Sequence, residues 1–292
     1  MIEFLPEWTL HLRAAQRSPQ TIANYTAGVR SFAEYVGDLE PAEITASHVR
    51  RWLSYLTDRG AAPKTISSRY QALRSFFDWL AAEAELDESP VRRVARPKVQ
   101  EPEIRVPTLE ELRAVLATAS NVRAFSDVRD AAVIRLWLDT GLRRSELAGL
   151  TVADVNVIDG EVSVMGKGRK PRTVAYGSAT AKALGRYLRL RSRHPQSERA
   201  ELWLGDRGRG PVDGASLYAM LTRRAARAGV TLHPHQLRHF FADAWLRENG
   251  SEGGLMRAAG WSNRSMLDRY ASANAAERSR AERRRLTLGD AI

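Results

Sequence analysis

The sequence predicts a mainly α fold of the α+β class, in which a helical bundle is followed by a mostly helical lobe with one small antiparallel sheet. Three observations lead there. Apolar residues recur at helical spacing between capping residues from Ser18 to Leu80. Pro97, Pro102 and Pro107 then interrupt the stretch from Arg96 to Pro107, which resists helix and reads as an extended linker. Period-two alternation follows at 160–165 and 172–176, on either side of a Gly/Lys/Arg turn. The length, 292 residues, also exceeds what one core usually fills, since domains typically hold about 100–200 residues. The expected boundaries are a helical domain over 1–96, a linker over 97–107 and a second domain over 108–292.

Taken in order, Ser18 is an N-cap followed by proline at the first helical position, and Ile22, Tyr25, Val29, Phe32, Ala33 and Val36 keep the helical period until Gly37 stops it. A second run carries Val49, Trp52, Leu53 and Leu56 up to Gly60. A third follows Pro63 with Ile66, Tyr70, Leu73, Phe76, Phe77 and Leu80. These faces suit a compact bundle of four or five helices, with a short helical turn begun by Ser89-Pro90. In the second part Thr108 and Glu111 form a capping box, and an apolar helix runs from about Val128 to Leu138. The two alternating segments form a hairpin. Helices resume after about Ala179, with a short strand expected at Leu202–Leu204, and there is no internal repeat.

With 43% apolar and 27% charged residues, the composition is that of an ordinary globular protein. Met1–Glu7 lack the basic start and apolar run of a secretory signal, and no stretch approaches the roughly 18 apolar residues of a membrane span. A cytoplasmic protein is expected. The absence of cysteine excludes disulfides, thiol nucleophiles and thiolate zinc sites. The net charge is +11, and its distribution is uneven: residues 1–97 carry 12 basic and 12 acidic side chains, residues 98–292 carry 33 and 22. That excess points to a polyanion, nucleic acid ahead of membrane because no amphipathic terminal anchor is evident. An arginine-rich proteome is the alternative source of the charge.

Four polar clusters bear on chemistry: Thr140–Leu147, Gly166–Lys170, His235–His239 and Ala259–Tyr270. A phosphodiester under attack gains charge on its non-bridging oxygens, and forked guanidinium donors held in place lower that barrier. Arg143 and Arg238 are the candidates. Arg143 follows Gly141 at the start of a helix, with Glu146 at i+3 to orient its guanidinium. His235 and Arg238 share one face of a helix beginning after Pro234, and His239 shares part of it. A histidine there can donate to a phosphate oxygen or shuttle a proton. Lys167 sits on the hairpin turn, where it can reach into a groove and protonate a leaving 5′ oxygen. A tyrosine phenol ionises near pH 10, so Tyr270 needs cationic neighbours and a proton acceptor to attack. Each residue alone also has an ordinary reading: a surface arginine beside a cap, a structural histidine, an exposed turn lysine, a core tyrosine. A metal site of His233, His235 and His239 is the weaker reading, since no carboxylate adjoins them and no cysteine is available.

In order, spacing and local sequence these clusters resemble the tyrosine recombinase (phage integrase) family. Its motifs are an Arg in T-G-L-R-x-S-E, a Lys on a β-hairpin, H-x-L-R-H, a His or Trp after Gly, and a Tyr nine residues later. The resemblance covers essentially the whole chain and is greatest to compact Xer-type and simple phage or plasmid members. It implies a catalytic set of Arg143, Lys167, His235, Arg238, Trp261 and Tyr270, with Glu146 and His239 in support. Trp261 stands where most bacterial members have histidine; it keeps an N–H donor and loses a titratable group. Ala259-Gly260 replaces the usual Leu-Gly.

The resemblance further implies a helical SAM-like core-DNA-binding domain at the N-terminal end and a C-shaped clamp closed on DNA with the catalytic domain. Tyr270 then attacks the scissile phosphate, leaving a 3′-phosphotyrosine and a free 5′-hydroxyl, and rejoining needs no ATP, metal or other cofactor. The implied partner is double-stranded DNA with inverted-repeat core sites. On it the chain forms a homo-tetramer from a monomer or weak oligomer, aided by accessory proteins the sequence does not identify. The tail from Ala275 to Leu288, with Arg278, Arg280, Arg283, Arg284 and Arg285, is a candidate for docking on a neighbouring protomer, or else a solvated DNA-contacting helix. Two rivals are a type IB topoisomerase-like relaxase, disfavoured by the compact first domain, and a non-enzymatic sequence-specific DNA-binding regulator, disfavoured by the complete catalytic set.

Overall fold

The computed structural model describes residues 1–83, 85–99, 105–166, 171–271 and 275–286, with the backbone alone for residues 269–271, 275, 277, 278, 281, 285 and 286. The chain divides into two compact units, Met1–Pro102 and Glu103–Ile292.

Among its described residues the first unit holds four α-helices: α1 (Leu5–Ala14), α2 (Pro19–Val36), α3 (Ala46–Asp58) and α4 (Pro63–Ala82). The Ser18 hydroxyl accepts the Thr21 N–H at 3.1 Å, and α2 ends at Gly37 with φ +68°. Thr45 caps α3 in the same way. The core is aromatic, with Trp8, Phe32, Trp52, Phe76 and Phe77 all fully buried. Trp8 meets Phe76 edge-on at 5.2 Å and Phe32 meets Trp52 at 5.1 Å, the geometry that ring quadrupoles favour. Helix α1 buries Leu5, Trp8 and Leu12; no side chain caps it, and its start is marked by Pro6 in the first turn. After α4, the Arg92 and Val94 N–H groups donate to the Ser89 and Val91 carbonyls in a simple turn, and the Tyr70 hydroxyl fixes it by donating to the Val94 carbonyl at 2.9 Å.

The second unit opens with α5 (Leu109–Ala117), whose capping box is complete: Thr108 N–H donates to Glu111 Oε2 at 2.9 Å and Glu111 N–H to Thr108 Oγ1 at 3.2 Å. Helix α6 (Phe125–Thr140) extends past both ends of its apolar run and packs on α8 (Ser178–Arg191). Between them lie the short α7 (Arg144–Ala148) and an antiparallel sheet of order β1 (Val155–Asn156), β2 (Glu161–Met165) and β3 (Pro171–Ala175). The register pairs Val162 with Val174 and Val164 with Arg172, so Val162, Val164 and Val174 turn into the core. Strand β1, two residues long, is too short to carry a period. Leu202–Leu204 forms no strand; it is held as a loop by single bridges at Glu201 and Leu204. Buried Arg191 donates to the carbonyls of Ser197, Arg199, Glu201 and Leu202, while the Trp203 carbonyl accepts the Val212 N–H and the Leu204 carbonyl accepts Arg129. Side chains thereby do for most of those carbonyls what a partner strand would do.

Helices α9 (Gly214–Arg227), α10 (Pro234–Arg247), α11 (Glu252–Ala259), α12 (Arg264–Ala271) and α13 (Ala275–Leu286) complete the unit. Its main core centres on Ile134, Trp137, Tyr187 and Trp203. A smaller cluster of Phe241, Ala242, Leu255, Ala259, Trp261 and Leu267 ties α10, α11 and α12 together. An ionic knot of Arg129, Asp130 and Arg224 is buried between α6 and α9. No helix among the described residues is long and apolar enough to cross a membrane.

Candidate active site

Helix α6 stops at Gly141, in the left-handed region at φ +57°, with its N–H on the Trp137 carbonyl at 2.9 Å and the Trp137 Nε1–H on the Leu142 carbonyl at 2.7 Å. A Cβ on Gly141 would lie 2.3 Å from Phe241 Cδ1. The position therefore needs glycine for both its backbone angle and the approach of α10. Gly141→Ala is expected to lower thermal stability by about 1–3 kcal/mol, the range for overpacking combined with left-handed strain, and to cut DNA cleavage more steeply than DNA binding. Differential scanning calorimetry checks the first part; an unchanged transition would be the contrary result.

After the buried Leu142 the chain extends at Arg143, which serves as the N-cap of α7. Glu146 does two jobs. Its Oε2 accepts the Arg143 N–H at 2.8 Å, closing the helix start, and its Oε1 accepts Arg143 Nη1 at 2.8 Å, orienting the guanidinium. The expected i,i+3 pairing is thus present. Burial works against the Glu146 charge, but hydrogen bonds from Arg172 and from the Arg143 backbone, with the Arg172 and Arg143 charges beside it, hold its carboxyl below the usual carboxylate range. It is ionised at neutral pH.

Arg143 Nη2 reaches the Gly260 carbonyl at 3.2 Å. Arg238, buried on α10, donates from Nη1 to the Gly141 carbonyl at 2.6 Å and from Nη2 to the Ala259 carbonyl, and its guanidinium carbon lies 5.3 Å from the centre of the Trp261 ring. Arg172, on β3, donates from Nε to the Ala258 carbonyl at 3.0 Å. Three guanidinium groups from three elements therefore end on three successive carbonyls at the C-terminus of α11. Those carbonyls lack helical partners and carry the negative end of the helix dipole, so cations are the natural occupants. Gly260 closes the helix at φ +65° and delivers Trp261 into the small core beneath Arg238.

Helix α10 begins at Pro234, with His233 as N-cap and its N–H on Gln236 Oε1 at 2.8 Å. His235 is exposed on the first turn, and His239 is buried one turn later, their ring centres 6.4 Å apart. Helix α12 packs on α10 through Leu267, one turn before Tyr270. The structure thus brings Arg143, Glu146, Arg238 and Trp261 to one end of α11, and puts His235 and His239 on the helix of Arg238. The backbone of Tyr270 lies on the helix that follows Trp261. Lys167 and the Tyr270 side chain lie outside the described residues. Among the described residues no group of three or more His, Asp or Glu side chains is placed to hold a metal ion.

Arg172 is the member that the sequence reading missed. The signal was present: in a strand, residues two apart share a face, and Arg172 stands two before the buried Val174. An arginine on the inward face of a strand calls for a partner.

The phage integrase family model matches residues 106–277, and the phage integrase N-terminal SAM-like domain matches residues 4–85. Tyrosine recombinase XerC of Bacillus pumilus is 33% identical over 266 residues, covering 87% of this chain and 86% of its own. The XerC of Actinobacillus pleuropneumoniae is 29% identical over 270 residues, covering 91% and 87%. Among solved structures, XerA recombinase is similar at 26% identity and TM-score 0.53, with 92% of each chain covered. The fold is also shared with XerH site-specific recombinase bound to its difH substrate, at 20% identity and TM-score 0.77 over 97% of this chain and 84% of that one. By the match of its larger unit and the likeness of its relatives along most of their length, the chain belongs to the phage integrase family of tyrosine recombinases.

Proposed function

We propose that this recombinase cuts and rejoins double-stranded DNA through a 3′-phosphotyrosine at Tyr270. The observation that carries the reading is the convergence of Arg143 and Arg238 with Trp261 at the C-terminal end of α11, one helix before Tyr270. When a scissile phosphate enters, the forked donors of Arg143 and Arg238 bond its non-bridging oxygens, with Trp261 and His235 adding N–H donors. The Tyr270 oxygen attacks phosphorus as the bond to the 5′ oxygen breaks. His235 takes the phenolic proton, and Lys167 gives one to the leaving oxygen. His239, buried beneath His235, and Glu146, beside Arg143, hold these groups in place. The phosphotyrosine ester conserves the energy of the broken bond, so a 5′-hydroxyl from another strand reverses the step and joins to it without ATP.

The finer parts of the reading follow from exchange between two duplexes. Residues 1–96 form the core-DNA-binding domain, 97–107 the linker and 108–292 the catalytic domain. The DNA carries inverted-repeat core sites around a short spacer, and four protomers assemble on a paired site, with the tail from Ala275 onward docking on a neighbour. Such a protein works in the cytoplasm, on chromosomal or plasmid DNA. The λ integrase tetramer solved on a Holliday junction, a relative in fold at TM-score 0.71 and 16% identity, supports this arrangement by analogy.

The test is a suicide duplex nicked beside the cleavage position, incubated with the protein in EDTA and run on a denaturing gel. A covalent adduct is expected, and tryptic mapping should assign the nucleotide to the peptide ending at Arg278 that contains Tyr270. An adduct on another residue, or none on any site the protein binds, would refute the mechanism.

A further inference from the structure

We infer that Arg172 is a positioning residue for DNA cleavage, holding both the carboxylate that aims Arg143 and the helix end that presents Trp261. This rests on the assignment of Arg143 and Arg238 as the cations that meet the phosphate.

The geometry is specific. Arg172 Nη1 donates to Glu146 Oε1 at 3.1 Å and Nη2 to Glu146 Oε2 at 2.8 Å, a bidentate pair, while Nε is spent on the Ala258 carbonyl at 3.0 Å. Its side chain is 12% exposed, against 37% for Arg143. Arg143 thus has the open position from which a guanidinium can meet a ligand, whereas Arg172 is committed inward. For Arg143 to exchange the Gly260 carbonyl for a phosphate oxygen while keeping its aim, its other nitrogen must stay anchored on Glu146. Glu146 can serve as that anchor only if it does not follow Arg143, and the two bonds from Arg172 fix both of its oxygens.

The same guanidinium reaches α11. A Cβ on Gly260 would lie 3.0 Å from Arg172 Cζ, so the glycine before Trp261 also makes room for it. Because β3 follows in sequence directly on the segment that contains Lys167, Arg172 joins three parts at one planar group: the start of β3, the cap of α7 and the end of α11. A lysine cannot reproduce this, since one ammonium on a flexible stem does not span two carboxylate oxygens and a carbonyl in one plane.

The experiment measures DNA affinity, thermal transition and single-turnover cleavage of the suicide duplex at saturating protein for Arg172→Gln, Arg172→Lys, Glu146→Gln and the Arg172→Gln/Glu146→Gln double variant. The parent chain is the control: if it forms no adduct, the proposed function fails and not this inference. With the parent active, Arg172→Gln is expected to bind DNA within threefold of it and to cleave on the order of 10- to 100-fold more slowly, the loss that misplacing a catalytic group brings. Arg172→Lys should fall between the two, and Arg172→Gln should cost little more once Glu146 is already glutamine. Parental cleavage by Arg172→Gln, a loss of affinity equal to the loss of rate, or fully multiplicative losses in the double variant would overturn the inference. Should Arg172→Gln fail to fold, Arg172→Lys decides: slower cleavage at unchanged affinity and thermal transition supports the role, and parental cleavage refutes it.

Discussion

Tyr270→Phe should bind its DNA site as tightly as the parent chain and form no covalent adduct with it. The substitution removes one oxygen and leaves the ring, so α12, anchored in the small core by Leu267, keeps its packing. What disappears is the only atom that can become esterified to the 3′ phosphate at that position. The cations remain, but they stabilise a transition state that no longer has its nucleophile, and the rate falls by a factor on the order of 10⁵ or more, as when other enzymes lose a nucleophile. Electrophoretic mobility shift and denaturing gels on the same duplex separate the two properties. A Phe variant that still forms adduct would exclude Tyr270, and one that keeps full biological activity would point to a DNA-binding regulator.

Asp130→Ala is expected to destabilise the second unit by about 3–5 kcal/mol, the usual consequence of removing one side of a buried ion pair. Asp130 is fully buried. Its Oδ1 accepts from Arg129 Nε and Nη2, and its Oδ2 from Arg224 Nε and Nη2 at 2.9 and 2.8 Å. Alanine leaves Arg129 bonded to the Leu204 carbonyl and Arg224 to the Thr118 carbonyl and to Asp127, a partly exposed carboxylate that serves Arg224 alone. Neither can shed its proton, because arginine stays charged at any pH at which proteins fold. The charge must be borne in the interior or released by local unfolding between α6 and α9. Asp130→Asn, which keeps the shape and two acceptor lone pairs, should cost less. Urea denaturation of both variants, read by tryptophan fluorescence, measures the difference, and a cost below 1 kcal/mol for Asp130→Ala would show that the pair stabilises less than its burial implies.

How much was legible in the sequence depended on how local each signal is. Helix α2 announces itself because a cap, a proline, an apolar period and a stop lie within one segment, at Ser18, Pro19 and Gly37, while α3 and α4 show the period and α5 its capping box. Helix α1 has the period but no capping side chain, and β1 is too short to show alternation. Leu202–Leu204 has the composition of a strand, yet its carbonyls accept in turn from Arg191, the Val212 N–H and Arg129, and no pattern within the segment could reveal that. The candidate site divides the same way. The Arg143–Glu146 pairing is an i,i+3 contact and was readable. The burial of Arg238 over the Trp261 ring, the convergence on α11 and the part of Arg172 all depend on contacts between distant segments, where sequence spacing carries no geometric information.

That long reach has a consequence for how the protein comes into being. The Arg143–Gly260 bond joins residues 117 apart, and the Arg238–Gly141 bond residues 97 apart. At roughly 5–20 residues per second, the ribosome spends on the order of ten seconds between making the first arginine and making the carbonyl that orients it. During that interval the nascent chain already carries much of its basic charge, while its guanidinium groups have no fixed aim. The convergence of the three arginines is therefore completed only after α11 has emerged and docked on the rest of the unit.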